Sequence, residues 1–262
     1  MWSPPVVNTT EDLDAALAEI AGNPNLPDPV LPVEPALPSH MAMPKKLAAL
    51  QTFISSFEYN YTGTVYVPLR KDRGLGNVMS SAKHIIAKAL PIQCIEAVFL
   101  GVYLTRDMFE LDRIPVSFKS VVDGHVFRHI ILAIRYRSKW GALGLSRKFT
   151  LMNKDLVFNS LSALLYDYKV AYESCWHKLV KVYIGLPFGF ETYSHNTIKW
   201  RCVKVRTNIG PWQDAANVLD RYARDARGLA DVYAATNSLS AATLAPYVLS
   251  RKIKTEAKPV PP

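Results

Sequence analysis

Apolar positions recur at helical spacing through the first hundred residues and then change to strict alternation. Leu47, Leu50, Ile54 and Phe57 fall on one face of a helix over 46–57. Leu75, Val78, Met79, Ala82, Ile85, Ile86 and Ala89 form a second stripe over 75–90, between them a short extended piece at Thr64–Leu69. Pro91 interrupts that stripe, and because proline suits a helix's first position it predicts a third helix running to about Leu104, with Cys94 in its first turn. From Ile114 to Val122 the pattern has period two. Asp123-Gly124 is a hairpin signal, and His125–Tyr136 is the return strand, with His125, Phe127, His129, Ile131 and Ala133 on one face. A third strand is predicted at Gly141–Arg147, a helix from Leu156 to about Tyr172, strands at Lys178–Ile184 and Ile198–Val205, and a helix from Pro211 to Arg227. The class is α+β, N-terminal helices followed by an antiparallel sheet.

The two ends are different in kind. Glu11–Ala21 reads as a short helix with Leu13, Ala16, Leu17 and Ile20 on one face and Thr9 or Thr10 as cap. Residues 23–38 carry proline at a density that forbids helix and ladder and favours an extended strap. From Thr236 the chain is rich in Ala and Ser and ends in prolines, which predicts weak order. The expected organisation is an arm over 1–45, a catalytic domain over 46–228 and a tail over 229–262.

Charge and composition narrow the function classes. A chain of 262 residues, 49% hydrophobic and 20% charged, is that of a soluble globular protein. It has no apolar run long enough for a bilayer and no leader-like start. Three widely spaced cysteines, Cys94, Cys175 and Cys202, predict a reduced, cytoplasmic protein rather than a disulfide scaffold. The sequon Asn60-Tyr61-Thr62 then reads as chance. The net charge of +9 favours an acidic partner: nucleic acid, an anionic membrane surface or an acidic polypeptide. Its basic clusters, such as Arg70-Lys71-Asp72-Arg73, match no nucleic-acid module, and neither nucleic acid nor membrane is expected as partner. Paired metal-ligand motifs and a phosphate-binding loop are missing, and no cofactor is expected.

Cys94 is the residue placed for chemistry. Unpaired N–H groups and the positive end of a helix dipole favour a thiolate, and such placement lowers a cysteine's pKa from about 8.5 by one to several units. His129 is the one histidine mid-strand among apolar neighbours. Ser146 ends a strand without the glycine of a nucleophile elbow, so it suits an orienting role better than attack.

The segments Leu90–Thr105, Phe127-Arg128-His129-Ile130 and Gly141–Arg147 resemble the vasohibins, as do Tyr59–Thr64, Pro115–Lys119, Cys175-Trp176-His177, Ile198-Lys199-Trp200 and Tyr222–Asp225. The resemblance covers roughly residues 30–227. It implies a papain/transglutaminase-like cysteine protease fold and a cysteine-type carboxypeptidase that removes the C-terminal tyrosine of α-tubulin, together with a small helical vasohibin-binding protein. It further implies a triad of Cys94, His129 and Ser146, with the serine acting through hydroxyl or main-chain carbonyl. Tyr59 and the Cys94 N–H would stabilise the oxyanion, and Arg147 would read the terminal carboxylate. Arg70, Lys71, Arg73, Lys119 and Arg128 are candidates for the acidic tubulin tail, and residues 10–57 for partner docking. Cytoskeletal association follows, with export by an unconventional route left open.

The family ordinarily has lysine before the cysteine, where this chain has Gln93. Two other readings therefore stay open: a thiol hydrolase acting on another amide, and a catalytically weak microtubule-binding protein.

Overall fold

The structure, a computed structural model, describes residues 9–25, 31–193 and 196–248. They belong to two units, divided between Pro32 and Val33. In the first, helix α1 (Thr10–Gly22) opens with a capping box. The Asp12 N–H donates to the Thr9 hydroxyl at 3.1 Å, and the Thr9 N–H to the Asp12 carboxylate at 3.0 Å. The predicted helix is therefore present, capped by Thr9. Residues 31–38 of the proline strap have no regular secondary structure, while 26–30 lie outside the described residues, as does the end of the chain from 249.

The second unit runs α2 (Met43–Ser55), α3 (Leu75–Lys88), α4 (Cys94–Leu104), β1 (Leu111–Val122), β2 (His125–Tyr136), β3 (Lys139–Leu143), β4 (Lys154–Phe158), α5 (Leu161–Ser174), β5 (Lys178–Ile184), β6 (Val203–Arg206), α6 (Trp212–Thr236) and α7 (Ala241–Leu244). The strands form one antiparallel sheet in the order β4-β3-β2-β1-β5-β6. Alternation sends the two sets of β2 side chains to opposite faces. Ile131 and Ala133 join a core with α5 and α6, while Ile130, Leu132 and Ile134 join one with α2, α3 and α4. Every residue of α4 from Glu96 to Leu104 is buried, as expected of a helix apolar on all sides.

Several boundaries differ from the sequence pattern. α2 begins at Met43 because Pro44 occupies its first turn. Thr64–Leu69 is irregular, and the third strand is Lys139–Leu143, so Ser146 and Arg147 lie beyond its end. The segment from Leu156 is strand, not helix. The helix starts only after Ser160, whose hydroxyl accepts from the Ala163 N–H at 3.0 Å. β6 is shorter than predicted, and α6 continues to Thr236 because its apolar stripe continues through Leu229 and Tyr233.

Two buried polar groups fix α4 and α6 against the sheet. Arg113, fully buried on β1, donates to the Val102 and Thr105 carbonyls at 3.2 and 3.3 Å, covering the negative end of α4. Its other terminal nitrogen, Nη2, donates to the Phe188 and Gly189 carbonyls. Asp112 accepts from Arg135 and, at 2.5 Å, from Arg227 of α6. Among the described residues no helix is long and apolar enough to cross a membrane, and no group of three or more His, Cys, Asp or Glu side chains could hold a metal ion.

Candidate active site

Two backbone reversals bring the cysteine and a tyrosine together. Glu58 after α2 and Ala89 after α3 are both left-handed, at φ 59° and 50°. The segments that follow them pair: the Asn60 N–H donates to the Ile92 carbonyl at 2.8 Å, and the Ile92 N–H to the Glu58 carbonyl at 3.1 Å. Pro91 is thus part of an extended approach rather than the helix start, and Cys94 is the first residue of α4. Glu96 closes the helix N-terminus by accepting from the Gln93 N–H at 2.7 Å.

The sheet supplies the histidine at an open edge. β3 pairs with β2 only from Leu132 to Tyr136, so on that side residues 129–131 of β2 have no β3 partner in the ladder. There the Ile130 N–H acts on the Cys94 thiol. The neighbouring His129 stacks on Phe118, its cross-strand partner, at 6.1 Å. Its Nε2 lies 2.8 Å from the Leu151 carbonyl. A carbonyl can only accept, so Nε2 carries the hydrogen and Nδ1 is the basic nitrogen. The ring is thus held by the main chain of Leu151. Ser146 has a different bond, its hydroxyl accepting from the Lys148 N–H at 3.3 Å.

The electrostatics depart from the sequence expectation. Burial pushes the Cys94 thiol above its ordinary value, aided by Glu96, and outweighs the Ile130 N–H and Lys71, which favour the thiolate. Burial lowers His129 to about 4, against a smaller opposing contribution from its bond to Leu151. The resting pair is therefore neutral thiol and neutral imidazole. Lys71 reaches this site from an exposed loop. Its ammonium lies 5.2 Å from the centre of the Trp200 ring, and burial lowers its pKa while the charge of Cys94 raises it. The Trp200 Nε1–H donates to the Lys71 carbonyl at 2.9 Å and so pins that loop. Gly185 makes room for this arrangement, since a Cβ there would meet the Lys199 and Trp200 carbonyls at 2.5 and 2.8 Å.

Arg147 faces the same entrance. Its guanidinium sits 5.4 Å from the ring centre of Tyr59 and 5.9 Å from that of Tyr61. Burial and the charge of Cys94 raise the Tyr59 pKa, while Arg147 bonds the phenol and lowers it. Two polar residues not singled out in the sequence hold this group. Asn60, 1% exposed, accepts from the Thr62 N–H at 3.0 Å and donates to the Thr64 carbonyl at 2.8 Å. Gln51 pairs with Gly144 as another strand would, donating to its carbonyl at 2.9 Å and accepting its N–H at 3.1 Å.

The remaining cations divide. Arg70 is engaged by Asp72 at 2.7 Å, and Arg73 is exposed beside it. Lys119 pairs in register with Arg128 on β2 and with Lys181 on β5, and Lys181 with Arg206 on β6. Opposed residues share a face, so four cations cross four strands in a row. Among the described residues none of the four has a carboxylate within ion-pair distance. Lys181 and Arg206 were invisible in the sequence because only strand register aligns them. His177 lies apart, its Nδ1 3.0 Å from the Ser120 hydroxyl and its ring 4.8 Å from that of Phe127. A cavity of about 490 Å³ is lined by Phe109, Phe188 and Tyr233 and includes none of the candidate residues; chemistry, not volume, locates the site.

A sequence model of the family described as Vasohibin matches residues 1–227. A protein of Mus musculus named tubulinyl-Tyr carboxypeptidase 1 is 38% identical over 227 residues, 87% of this chain. The chain spans about 60% of the length of that curated relative. The chain belongs to the vasohibin family.

Proposed function

We propose that this protein is a cysteine-type carboxypeptidase that removes the C-terminal tyrosine of α-tubulin. The observation that carries the reading is the thiol at a helix start facing the β2 edge beside an imidazole whose Nε2 hydrogen is held by the Leu151 carbonyl. A helix-borne cysteine against an antiparallel sheet suits a papain/transglutaminase-like fold. The relative's name supplies the substrate.

In this reading His129 Nδ1 takes the Cys94 proton, and the sulfur attacks the carbonyl carbon before the terminal residue. The carbonyl π electrons move to oxygen, where the Cys94 N–H and the Tyr59 hydroxyl stabilise the charge. Collapse breaks the C–N bond, and the imidazolium gives its proton to the departing amine, so that free tyrosine leaves and a thioester remains. A water, deprotonated by His129, then hydrolyses the thioester and restores the thiol. Arg147 has the planar donor fork that a terminal carboxylate needs, with Lys71 as a second cation. The unpaired row Arg128, Lys119, Lys181 and Arg206 fits consecutive acidic residues upstream, and a cytoplasmic, cytoskeleton-associated location follows from that substrate. α1 and the residues after it remain the proposed docking segment for a small helical partner.

Incubation with an acidic peptide ending Glu-Glu-Tyr, followed by mass spectrometry, tests this. Loss of one tyrosine is expected from the wild type and none from Cys94→Ala or His129→Ala; release by Cys94→Ala would overturn the reading. Gln93 in place of lysine favours a second possibility, a thiol hydrolase that needs no carboxylate clamp. That enzyme would cleave a C-terminally amidated peptide equally well.

A further inference from the structure

Helix α5 ends in a turn that ordinarily takes glycine. The Trp176 N–H donates to the Glu173 carbonyl at 3.1 Å and the His177 N–H to the Tyr172 carbonyl at 2.9 Å. These paired bonds close a helix when the residue after its cap is left-handed. Here that residue is Trp176, at φ 64°. A bulky side chain is strained in this conformation, and this one gains no burial in return, being 90% exposed. The next ring, that of His177, packs on Phe127 at 4.8 Å. Register sets Val126 and Lys178 on either side of Val121. Phe127 and Val126 are themselves 46% and 50% exposed, so this end of the sheet is apolar and open. Its border is cationic. Lys119 lies two residues from Val121 on the same face of β1, which places the row Arg128, Lys119, Lys181 and Arg206 alongside. Lys178 has no carboxylate within ion-pair distance among the described residues. Of the nearby acids, Glu173 is paired with Lys169 at 2.5 Å, and Asp123 sits in the hairpin turn.

We propose that this end of the sheet is a docking surface for the folded body of tubulin, with Trp176 as its anchor. The inference rests on the substrate proposed above and adds a second contact to it. The cation row accounts for an acidic tail, and a tail is joined to a folded body that must lie close by. An indole projecting this far needs a pocket to enter. A flexible acidic peptide offers none, whereas a folded surface does. An aromatic centre with a charged rim is the composition of a protein interface, and tryptophan is prominent among the residues that dominate binding there. The positive rim selects an acidic partner.

Trp176→Gly gives the turn its ordinary residue, so the variant should melt at or above the wild-type temperature. Its cosedimentation with microtubules assembled from purified tubulin should weaken at least about tenfold, as loss of an interface tryptophan commonly does. On microtubules KM should rise by a similar factor with kcat unchanged, while tyrosine release from the Glu-Glu-Tyr peptide stays at the wild-type rate. Microtubules trimmed of their tails by subtilisin should still bind the wild type better than the variant. A variant that cosediments like the wild type, an equal loss on the peptide, or a difference that vanishes on trimmed microtubules overturns the proposal. Trp176-dependent binding to vesicles of phosphatidylcholine and phosphatidylserine, without such binding to microtubules, also overturns it and makes the surface a membrane contact. Trp176-dependent microtubule binding by an enzyme that releases no tyrosine would support this surface and defeat the activity proposed above.

Discussion

His129 is held by Leu151 through a main-chain carbonyl, 2.8 Å from Nε2. This bond settles the tautomer, leaving Nδ1 as the basic nitrogen, and it cannot be deleted by changing a side chain. Removing the side chain that orients a catalytic imidazole ordinarily costs about 10⁴ in rate. Ser146→Ala should cost far less, within about tenfold, because the Ser146 hydroxyl bonds Lys148 and not His129. Peptide turnover checks this. A loss approaching that of His129→Ala would return the orienting role to the serine.

Arg147 should be energetically tied to the substrate's terminal carboxylate. Truncating one partner of a desolvated charged pair typically costs about 2–5 kcal/mol, so Arg147→Ala should lower turnover at least tens-fold. Amidating the peptide should cost the wild type a similar factor, and the two changes together little more than either. Gln93→Lys, adding a cation beside Cys94, should improve turnover of the free-acid peptide. Additive losses in the double experiment would separate Arg147 from the carboxylate.

Gln51 holds the segment that carries Arg147. Replacing it with leucine leaves both the Gly144 N–H and its carbonyl unpaired in a buried place. At about 1–3 kcal/mol for each orphaned group, stability should fall by roughly 2–6 kcal/mol. Thermal unfolding should register this as a lower midpoint, and the residual folded enzyme should have a raised KM for the free-acid peptide. An unchanged melting curve would mean that Gly144 finds other partners.

Acid should weaken the fold through His129. Its native pKa is about 4 against an unfolded value near 6.5, so between these limits the unfolded chain binds the extra proton. Stability is full above about pH 6.5 and is lost as the pH falls through 4. A shift of that size amounts to something like 3 kcal/mol. Denaturant unfolding between pH 7 and pH 4 should follow this slope, and His129→Gln should flatten it. An equal slope in that variant would assign the acid sensitivity to other groups.

Local chemistry in the sequence determined much of this protein. The α3 stripe, the apolar run of α4, the Asp123-Gly124 hairpin, β5 and the cysteine at a helix start all follow from periodicity, apolar runs and turn residues, whose rules act over a few neighbours. The same rules failed where a neighbour's preference overrode them. Ser160 delayed α5, and the left-handed Ala89 let Pro91 run extended into Cys94. What only the tertiary structure decided depends on residues far apart in the chain. The partner of His129 is a carbonyl, which every residue possesses and no side-chain motif marks. The row Arg128, Lys119, Lys181 and Arg206 exists only once β2, β1, β5 and β6 are in register. The direction of the Cys94 shift was set by burial, because a helix terminus acts on one turn while desolvation is imposed by everything packed around the sulfur.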